Sequence, residues 1–419
     1  MQVVAVANVK DEIDIIEAFV RHNLARVNRL VVLDNGSSDG TLAVLRKLEA
    51  EGLPLDIVED PSLGMYQGQR TNRLIREWAV GRHGADWVLP LDVDEFVAFP
   101  GGGSLVPPGA GDDRPIALPW RSYVARPTDD PSEMNPVVRI RHRLAKESCT
   151  WVKVLIPGAL AARPDAAVVQ GNNELLLGDR GCAAAPSPGA YLAHFPMRSP
   201  GQYSAKIAIN FLQYAVIPDR AIDAGWHYRA AYELLRRDPA AFRASFHEAA
   251  PLYASLPGQL PPAEFVHDPL DYRGGPLRHT PPVNDEARGL LAVLGCAEQL
   301  ARRQAALSAW LGEDRLPSVE RLASVLANIH THFAEQYYLA LGNHTQLLQV
   351  AQELRRVQQL LPQQVRQAER STVRALKQSW TWKTGRLVVG LLRPFRVLAR
   401  LGRRALSGLP SPAAAPRSR

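Results

Sequence analysis

The segment Leu33-Asp34-Asn35-Gly36-Ser37-Ser38-Asp39-Gly40-Thr41 leaves a short apolar run and enters an amphipathic one. Its glycines and small side chains let the backbone turn sharply, and its carboxylates stand where a ligand meets the edge of a parallel sheet. Asp-Asn-Gly-Ser is also ordinary turn and N-cap composition, so the segment takes its meaning from what surrounds it. Val3 to Ala7, Leu30 to Leu33, Leu55 to Val58 and Trp87 to Leu91 read as buried strands. Between them Glu12 to Ala25, Thr41 to Glu51 and Gln69 to Val80 carry apolar residues at three- and four-residue spacing, as helices do. This alternation predicts an α/β fold. The central sheet is expected to be mostly parallel and covered on both faces, with any ligand at the carboxyl ends of its strands.

A second segment, Val88-Leu89-Pro90-Leu91-Asp92-Val93-Asp94-Glu95-Phe96, ends another strand-like run. In extended chain, residues two apart project to the same side, so Asp92 and Asp94 can face one cation while Val93 points into the core. Two carboxylates there suit a hard divalent ion that keeps coordination sites open for phosphate. Carboxylates at the end of a buried strand are costly unless paired or metal-bound, which separates this Asp-x-Asp from a chance surface pair.

Together the two segments resemble family 2 glycosyltransferases, which implies the GT-A fold, a nucleotide-binding, Rossmann-like domain with a mostly parallel central sheet, here followed by a helical C-terminal region. Val9-Lys10-Asp11-Glu12, followed by Ile16-Glu17-Ala18-Phe19-Val20-Arg21-His22, is similar to that family's opening. Asp34 to Thr41 is similar to its nucleotide-contacting segment, and Tyr66 to Asn72 to the helix start that helps hold the nucleotide and diphosphate. Leu91 to Phe96 is similar to the D-x-D-E-F form of its metal motif. Downstream, Lys153, Gly171-Asn172, Leu192 to Pro196, Arg198-Ser199 and Lys206 resemble a bacterial subgroup. Asp11 stands where the subgroup has Asn, and Asn173 where it has His, so no ligand or base is assigned to position 173.

The resemblance implies transfer of a sugar from a nucleotide-sugar donor to an acceptor hydroxyl, with inversion and with Mn²⁺ or Mg²⁺. The implied donor-contacting residues are Glu12, Asp34, Gly36, Asp39, Arg70 and Asn72, and the implied metal ligands are Asp92, Asp94 and His194. A divalent cation would offset the charge of the leaving diphosphate, and a carboxylate or imidazole must take the acceptor proton. Glu174 and His194 are the candidate bases, followed by Asp179 and Glu147, while Lys153 and Lys206 could neutralise phosphate. The resemblance allows a glycan, a lipid-linked oligosaccharide or a protein as acceptor, and implies a place in bacterial surface glycan assembly. Two other readings compete: a membrane-associated scaffold with a degenerate GT-A unit, and a haloacid-dehalogenase-type phosphatase using Asp92 as nucleophile.

The chain has 419 residues, enough for two or three units, and three cysteines (Cys149, Cys182, Cys296) with no metal-ligand spacing. That excludes a disulfide framework and a zinc ribbon, and favours a reducing compartment. No leader precedes the first strand, which predicts a cytoplasmic protein. The expected divisions are a GT-A domain over 1–215, a mixed helix and loop extension over 216–285, a helical hairpin or short coiled coil over 286–376, and a basic tail over 377–419. Leu347, Val350, Leu354, Val357 and Leu361 at a/d spacing allow a homodimer through that third part. From Lys377 onward there are ten Lys/Arg and no acidic residue, leaving 39 basic against 42 acidic residues, a net of −3, for the body. A body of that sign argues against nucleic acid. In the tail Leu387, Leu391, Phe395 and Leu398 fall on one helical face and the arginines roughly opposite, with Trp380 and Trp382 ahead of them. The tail is therefore expected to dock on an anionic membrane surface, peripheral at the inner face of the cytoplasmic membrane, without spanning it.

Overall fold

Strands β1 (Val3–Val9), β2 (Arg29–Asp34), β3 (Leu55–Glu59) and β4 (Trp87–Asp92) run parallel in the order β3-β2-β1-β4. The chain winds outward from β1 through β2 to β3 and then crosses to β4 on the other side. The order therefore reverses between β1 and β4, where open α/β sheets leave a crevice at their carboxyl ends. Val9 is paired with Asp34 and Asn8 with Asp92, so three strand ends finish at one level. Helices α1 (Ile16–Leu24), α2 (Thr41–Ala50) and α3 (Gln67–Arg73) make the crossovers, α3 continuing as a π-helical turn over Leu74–Val80.

The computed structural model describes residues 1–99, 103–147, 151–217, 226–255 and 264–311; the side chains of 226–227 and 303–311 are outside that description. The expected coiled-coil seam at Leu347 to Leu361, the tail from Lys377 and Cys149 lie outside the described residues. Among those described, Cys182 and Cys296 are free thiols.

Both faces of the parallel half are buried, as the unbroken apolar runs require. Ala5, Ala7 and Val9 of β1 join Phe19, Val20, Val44 and Leu45 in one cluster, while Val4 and Val6 join Leu74 and Ile75 in another. The period of two along β1 thus divides the core between α1 and α2 on one side and α3 with its π-turn on the other.

Beyond β4 the sheet changes character. Strands β5 (Glu95–Ala98), β6 (Ile116–Ser122), β8 (Val152–Pro157) and β13 (Tyr191–His194) extend it in the order β4-β8-β6-β13-β5. The β4/β8, β8/β6 and β5/β13 joins are antiparallel and β6/β13 is parallel. The fold is the expected α/β one. The Asp-x-Asp segment, however, is a tight reversal, since Glu95 opens β5 and pairs with His194.

Val137 to Ile140, with the β-branched composition of a strand, falls instead in the helical turn α4 (Pro136–Arg139). Asn135 caps it by accepting from Val137 N, and Pro136 at its first position presets the turn. A short strand β7 (His142–Leu144) follows; after β8 come α5 (Gly158–Ala161), the hairpin strands β9 (Ala166–Val168), β10 (Leu175–Leu177) and β11 (Arg180–Gly181), and β12 (Ala185–Pro186).

The long helix α6 (Pro200–Ala215) starts at Ser199, whose hydroxyl accepts from Gln202 N. After it come α7 (Trp226–Arg237), α8 (Pro239–Ala244), α9 (Phe246–Ala254), strand β14 (Phe265–His267) and α10 (Arg288–Leu311). These elements past residue 215 fold back on the sheet unit: β14 pairs with β7, and Ala292 and Cys296 of α10 pack with Ala205 and Ile209 of α6. Glu17 of α1 receives the backbone N–H groups of Arg278, His279 and Thr280, each at 2.8 Å. No helix among the described residues is long and apolar enough to cross a membrane.

Candidate active site

A cavity of about 580 Å³ opens at the carboxyl ends of β1 and β4, where the strand order reverses. Its walls come from the ends of β1 (Lys10, Asp11, Glu12) and β4 (Asp92, Asp94), from α3 (Gln67, Arg70), from β8 (Lys153), from His194 and from α6 (Lys206, Gln213).

The two carboxylates of the Asp-x-Asp each hold a lysine. Lys153 Nζ donates to Asp92 Oδ2 at 2.6 Å and to the carbonyl of Gly171 at 2.7 Å, while Gln67 Nε2 donates to Asp92 Oδ1 at 2.6 Å. Lys206 Nζ donates to Asp94 Oδ2 at 2.8 Å and to Pro196 O at 3.1 Å. Lys153 is fully buried. Burial works against its charge, but the attraction of Asp92 and Glu95 outweighs that and raises its pKa. Burial likewise opposes ionisation of Asp94, yet the charges of Lys206 and Arg198 hold its carboxyl below the usual range. Glu95, fully buried, accepts from Asp92 N at 2.8 Å; burial pushes it up to about 8, against the pull of Lys153.

A second set of pairs lies beside the first. Arg198 donates to Glu12 and, through Nε at 2.7 Å, to Asp14, which also accepts from Arg288 of α10 at 2.6 Å. Glu12, Asp14, Asp92 and Asp94 are thus matched one for one by Arg198, Arg288, Lys153 and Lys206. The site is close to neutral before any ligand arrives.

His194 ends β13 and points its Nε2 at Asp94 Oδ1 across 3.7 Å, beyond hydrogen-bond reach, and its Nδ1 is buried without a partner among the described residues. Burial drives its pKa down to about 4, so the imidazole is neutral and its nitrogen carries a lone pair. A neutral imidazole and a carboxylate oxygen facing one another across that gap form a donor pair that suits a small divalent ion. No group of three or more His, Cys, Asp or Glu side chains among the described residues closes into a metal site. A cation here would therefore rest on protein at Asp94 and His194 and take its remaining oxygens from a ligand.

The other expected site residues are distributed unevenly. Glu12 and Arg70 line the cavity, Arg70 also binding Ser62 O at 2.6 Å and Gly64 O at 3.0 Å. Asp34 is 1% exposed and does not line it; its Oδ2 accepts from Ser37 N at 3.0 Å, its Oδ1 has no partner among the described residues, and burial raises its pKa. The neighbouring Asn35 lines the cavity instead. Asp39 is a local brace, accepting from Ile13 N at 3.0 Å and Thr41 N at 2.9 Å. Asn72 ties α3 to β9 through Val168, accepting at 2.8 Å and donating at 2.9 Å. Gly36, at φ +67°, borders a neighbouring cavity between the strand-end loop, residues 60–66 and α10.

Of the candidate bases only His194 faces the main cavity. Glu174 is exposed on the loop before β10, against Gly181 of the outer hairpin, and Asp179 lies in the turn of that hairpin. Glu147 is occupied by Ser122, accepting from its N at 2.6 Å and its Oγ at 2.8 Å. A pattern of Gly and Asn before Glu174 signals a turn and says nothing of which way it faces. Trp120, Trp151, Tyr228 and Tyr253 also line the cavity, and none of them stands in a motif of the sequence. The two tyrosines sit on helices in the stretch read as mixed helix and loop; its aromatic richness was the available signal.

No family model and no curated protein matches the sequence. Solved structures do. A mannosyltransferase of Pyrobaculum calidifontis, in complex with GDP-Man and Mn²⁺, is 17% identical over 81% of this chain and 84% of that chain, with a TM-score of 0.31. Glucosyl-3-phosphoglycerate synthase of Mycobacterium tuberculosis, with Mn²⁺, UDP and glucosyl-3-phosphoglycerate, is 19% identical over 29% of this chain and 44% of that one, with a TM-score of 0.20.

Proposed function

We propose that this chain is a glycosyltransferase of the family 2 kind, which moves a sugar from a nucleotide-sugar donor to an acceptor hydroxyl with inversion. The observation that carries the reading is the Asp92–Lys153 and Asp94–Lys206 pair of pairs, at the strand ends where the order of the sheet reverses and a cavity opens. A near-neutral site does not attract a bare polyanion strongly, but it accommodates a diphosphate that carries its own divalent cation. Asp94 and His194 would hold Mn²⁺ or Mg²⁺, with Asp92 beside them. When bound, the cation would withdraw charge from the departing diphosphate.

The chain's own groups do the rest. Lys153 and Lys206 are held where phosphate oxygens would come, and each can move from carboxylate to phosphate without leaving a hydrogen bond unmade. Gln67 holds one oxygen of Asp92 and Glu95 accepts from its backbone N–H, so the reversal keeps its shape when Lys153 turns to a ligand. Asn35 and Arg70 line the end of the cavity nearest the strand-end loop and are assigned to the nucleoside, with Asp34 beneath holding the loop in shape. Of Glu174 and His194 only His194 lines the cavity, but its lone pair is given to the cation, so the group that takes the acceptor proton is left unassigned.

Calorimetric titration of nucleoside diphosphates with and without Mn²⁺ or Mg²⁺ tests this directly. Metal-dependent binding that is lost in Asp94→Asn supports the reading, and equal binding in EDTA overturns it. The basic tail over 377–419 is proposed to hold the enzyme at an anionic membrane surface during bacterial surface glycan assembly. Flotation with phosphatidylglycerol vesicles, full chain against a chain ending at Lys377, checks that part, equal recovery refuting it.

A further inference from the structure

The cavity has an aromatic wall that the donor does not account for. Trp151, immediately before β8, lines it and is 48% exposed. Its ring meets that of Trp120 edge to face, centroids 6.0 Å apart at 61°. Trp120 in turn stacks on His194 at 4.4 Å and 22°. An aromatic row therefore runs from the surface at Trp151, through Trp120, to the imidazole beside Asp94. The indole N–H of Trp120 is buried without a hydrogen-bond partner among the described residues. The carboxamides of Gln170 and Asn173 line the same cavity.

We infer that this row is the acceptor subsite and that the acceptor is a saccharide, its terminal ring lying against Trp151. The inference rests on the glycosyl-transfer reading above. A pyranose ring presents polarised C–H groups on one face, which favour the negative face of an indole, and hydroxyls at its edge, which planar carboxamides bind in pairs. A small anionic acceptor would need a further cation on this wall, and Lys153 and Lys206, beside Asp92 and Asp94, are assigned above to the donor diphosphate. A lipid chain would need a wider apolar patch than one exposed indole rimmed by carboxamides. The row leads from Trp151 through Trp120 towards Asp94 and His194, the end of the cavity where the donor's cation would sit.

The test is titration of the full-length protein with chito-, malto- and manno-oligosaccharides, read by intrinsic tryptophan fluorescence without donor and by initial rates with donor. One series should perturb the fluorescence saturably. Trp151→Ala should raise its dissociation constant and its KM about ten-fold, with a smaller change in kcat, and Trp151→Phe should recover most of the loss. Nucleoside diphosphate affinity of the same variants checks that the donor end is intact. Saccharide binding unchanged in Trp151→Ala, or no binding of any series by a wild type that binds nucleotide, overturns the inference and leaves the transferase reading standing. Saccharide binding that depends on Trp151 in a protein binding no nucleoside diphosphate would do the reverse.

Discussion

Gln299 of α10 donates from Nε2 to the carbonyl of Gly36 at 2.8 Å and to that of Asn35 at 3.2 Å, and Lys10 Nζ binds the same two carbonyls at 2.9 and 3.2 Å. A helix some 260 residues downstream in sequence thus closes over the strand-end loop that opens the fold. A Cβ at Gly36 would overlap the Gln299 amide, and φ there is +67°. Gly36→Ala should therefore cost about 1–2 kcal/mol from the left-handed backbone, plus the displacement of Gln299. Urea unfolding of Gly36→Ala, Gln299→Ala and the double variant separates the two effects. A double variant as stable as Gln299→Ala alone would refute the backbone part.

Glu17 fastens the segment after β14 to α1. Its carboxylate is buried and takes three backbone N–H groups, the Thr280 hydroxyl at 2.9 Å and Arg21 Nε at 2.9 Å. Burial opposes its charge, but these donors hold its pKa below the ordinary carboxylate value. Its stabilisation is therefore complete above the unfolded-state pKa and is lost as pH falls through the lower folded one. Glu17→Ala strands several buried donors and should cost about 3 kcal/mol. Faster amide exchange at residues 278–280 in that variant is the specific readout, and unchanged exchange there would refute the clamp.

Most of the parallel half of the fold could be read from the chain, because strands buried on both faces are continuous apolar runs and their helices keep a clean spacing. The run from Val3 is one such case, and Ile16, Phe19 and Val20 are another. The second half reads poorly for a physical reason. Val137 to Ile140 is as β-branched as a strand, but the Asn135 cap and Pro136 outweigh that preference. Within the site, Asp92, Asp94 and His194 were legible because strand ends and motif residues are local. The pairing of each aspartate with a lysine 61 or 112 residues away, and the arrival of Gln299, are not. Periodicity carries no information about such contacts.

His22 supplies a pH dependence remote from the cavity. It is fully buried, with Nε2 2.8 Å from Val97 O and Nδ1 accepting from Arg273 N at 3.1 Å, so the neutral tautomer protonated on Nε2 satisfies both. Burial lowers its pKa from about 6.5 to about 4. Below pH 6.5 the unfolded chain takes up a proton that the folded one refuses, and stability falls until about pH 4. The loss from this group should reach about 3 kcal/mol over that window. His22→Gln should flatten the pH profile of urea stability between those limits; an unchanged slope would refute the assignment.

The last prediction separates the two jobs of Asp94. Its Oδ2 neutralises Lys206 and its Oδ1 faces His194, so Asp94→Asn removes a candidate metal ligand and leaves a largely buried ammonium without its counter-charge. Breaking such a pair on one side costs about 3–5 kcal/mol, so loss of activity in the single variant would have two explanations. Asp94→Asn combined with Lys206→Met removes the stranded charge and should regain much of the stability, while metal-dependent nucleotide binding stays lost. Lys206→Met alone leaves Asp94 unpaired; a divalent ion can then bind without displacing an ammonium, so Mn²⁺ should raise its thermal midpoint more than it raises that of the wild type. A double variant that binds nucleotide with undiminished metal dependence would show that Asp94 is structural and that the cation sits elsewhere.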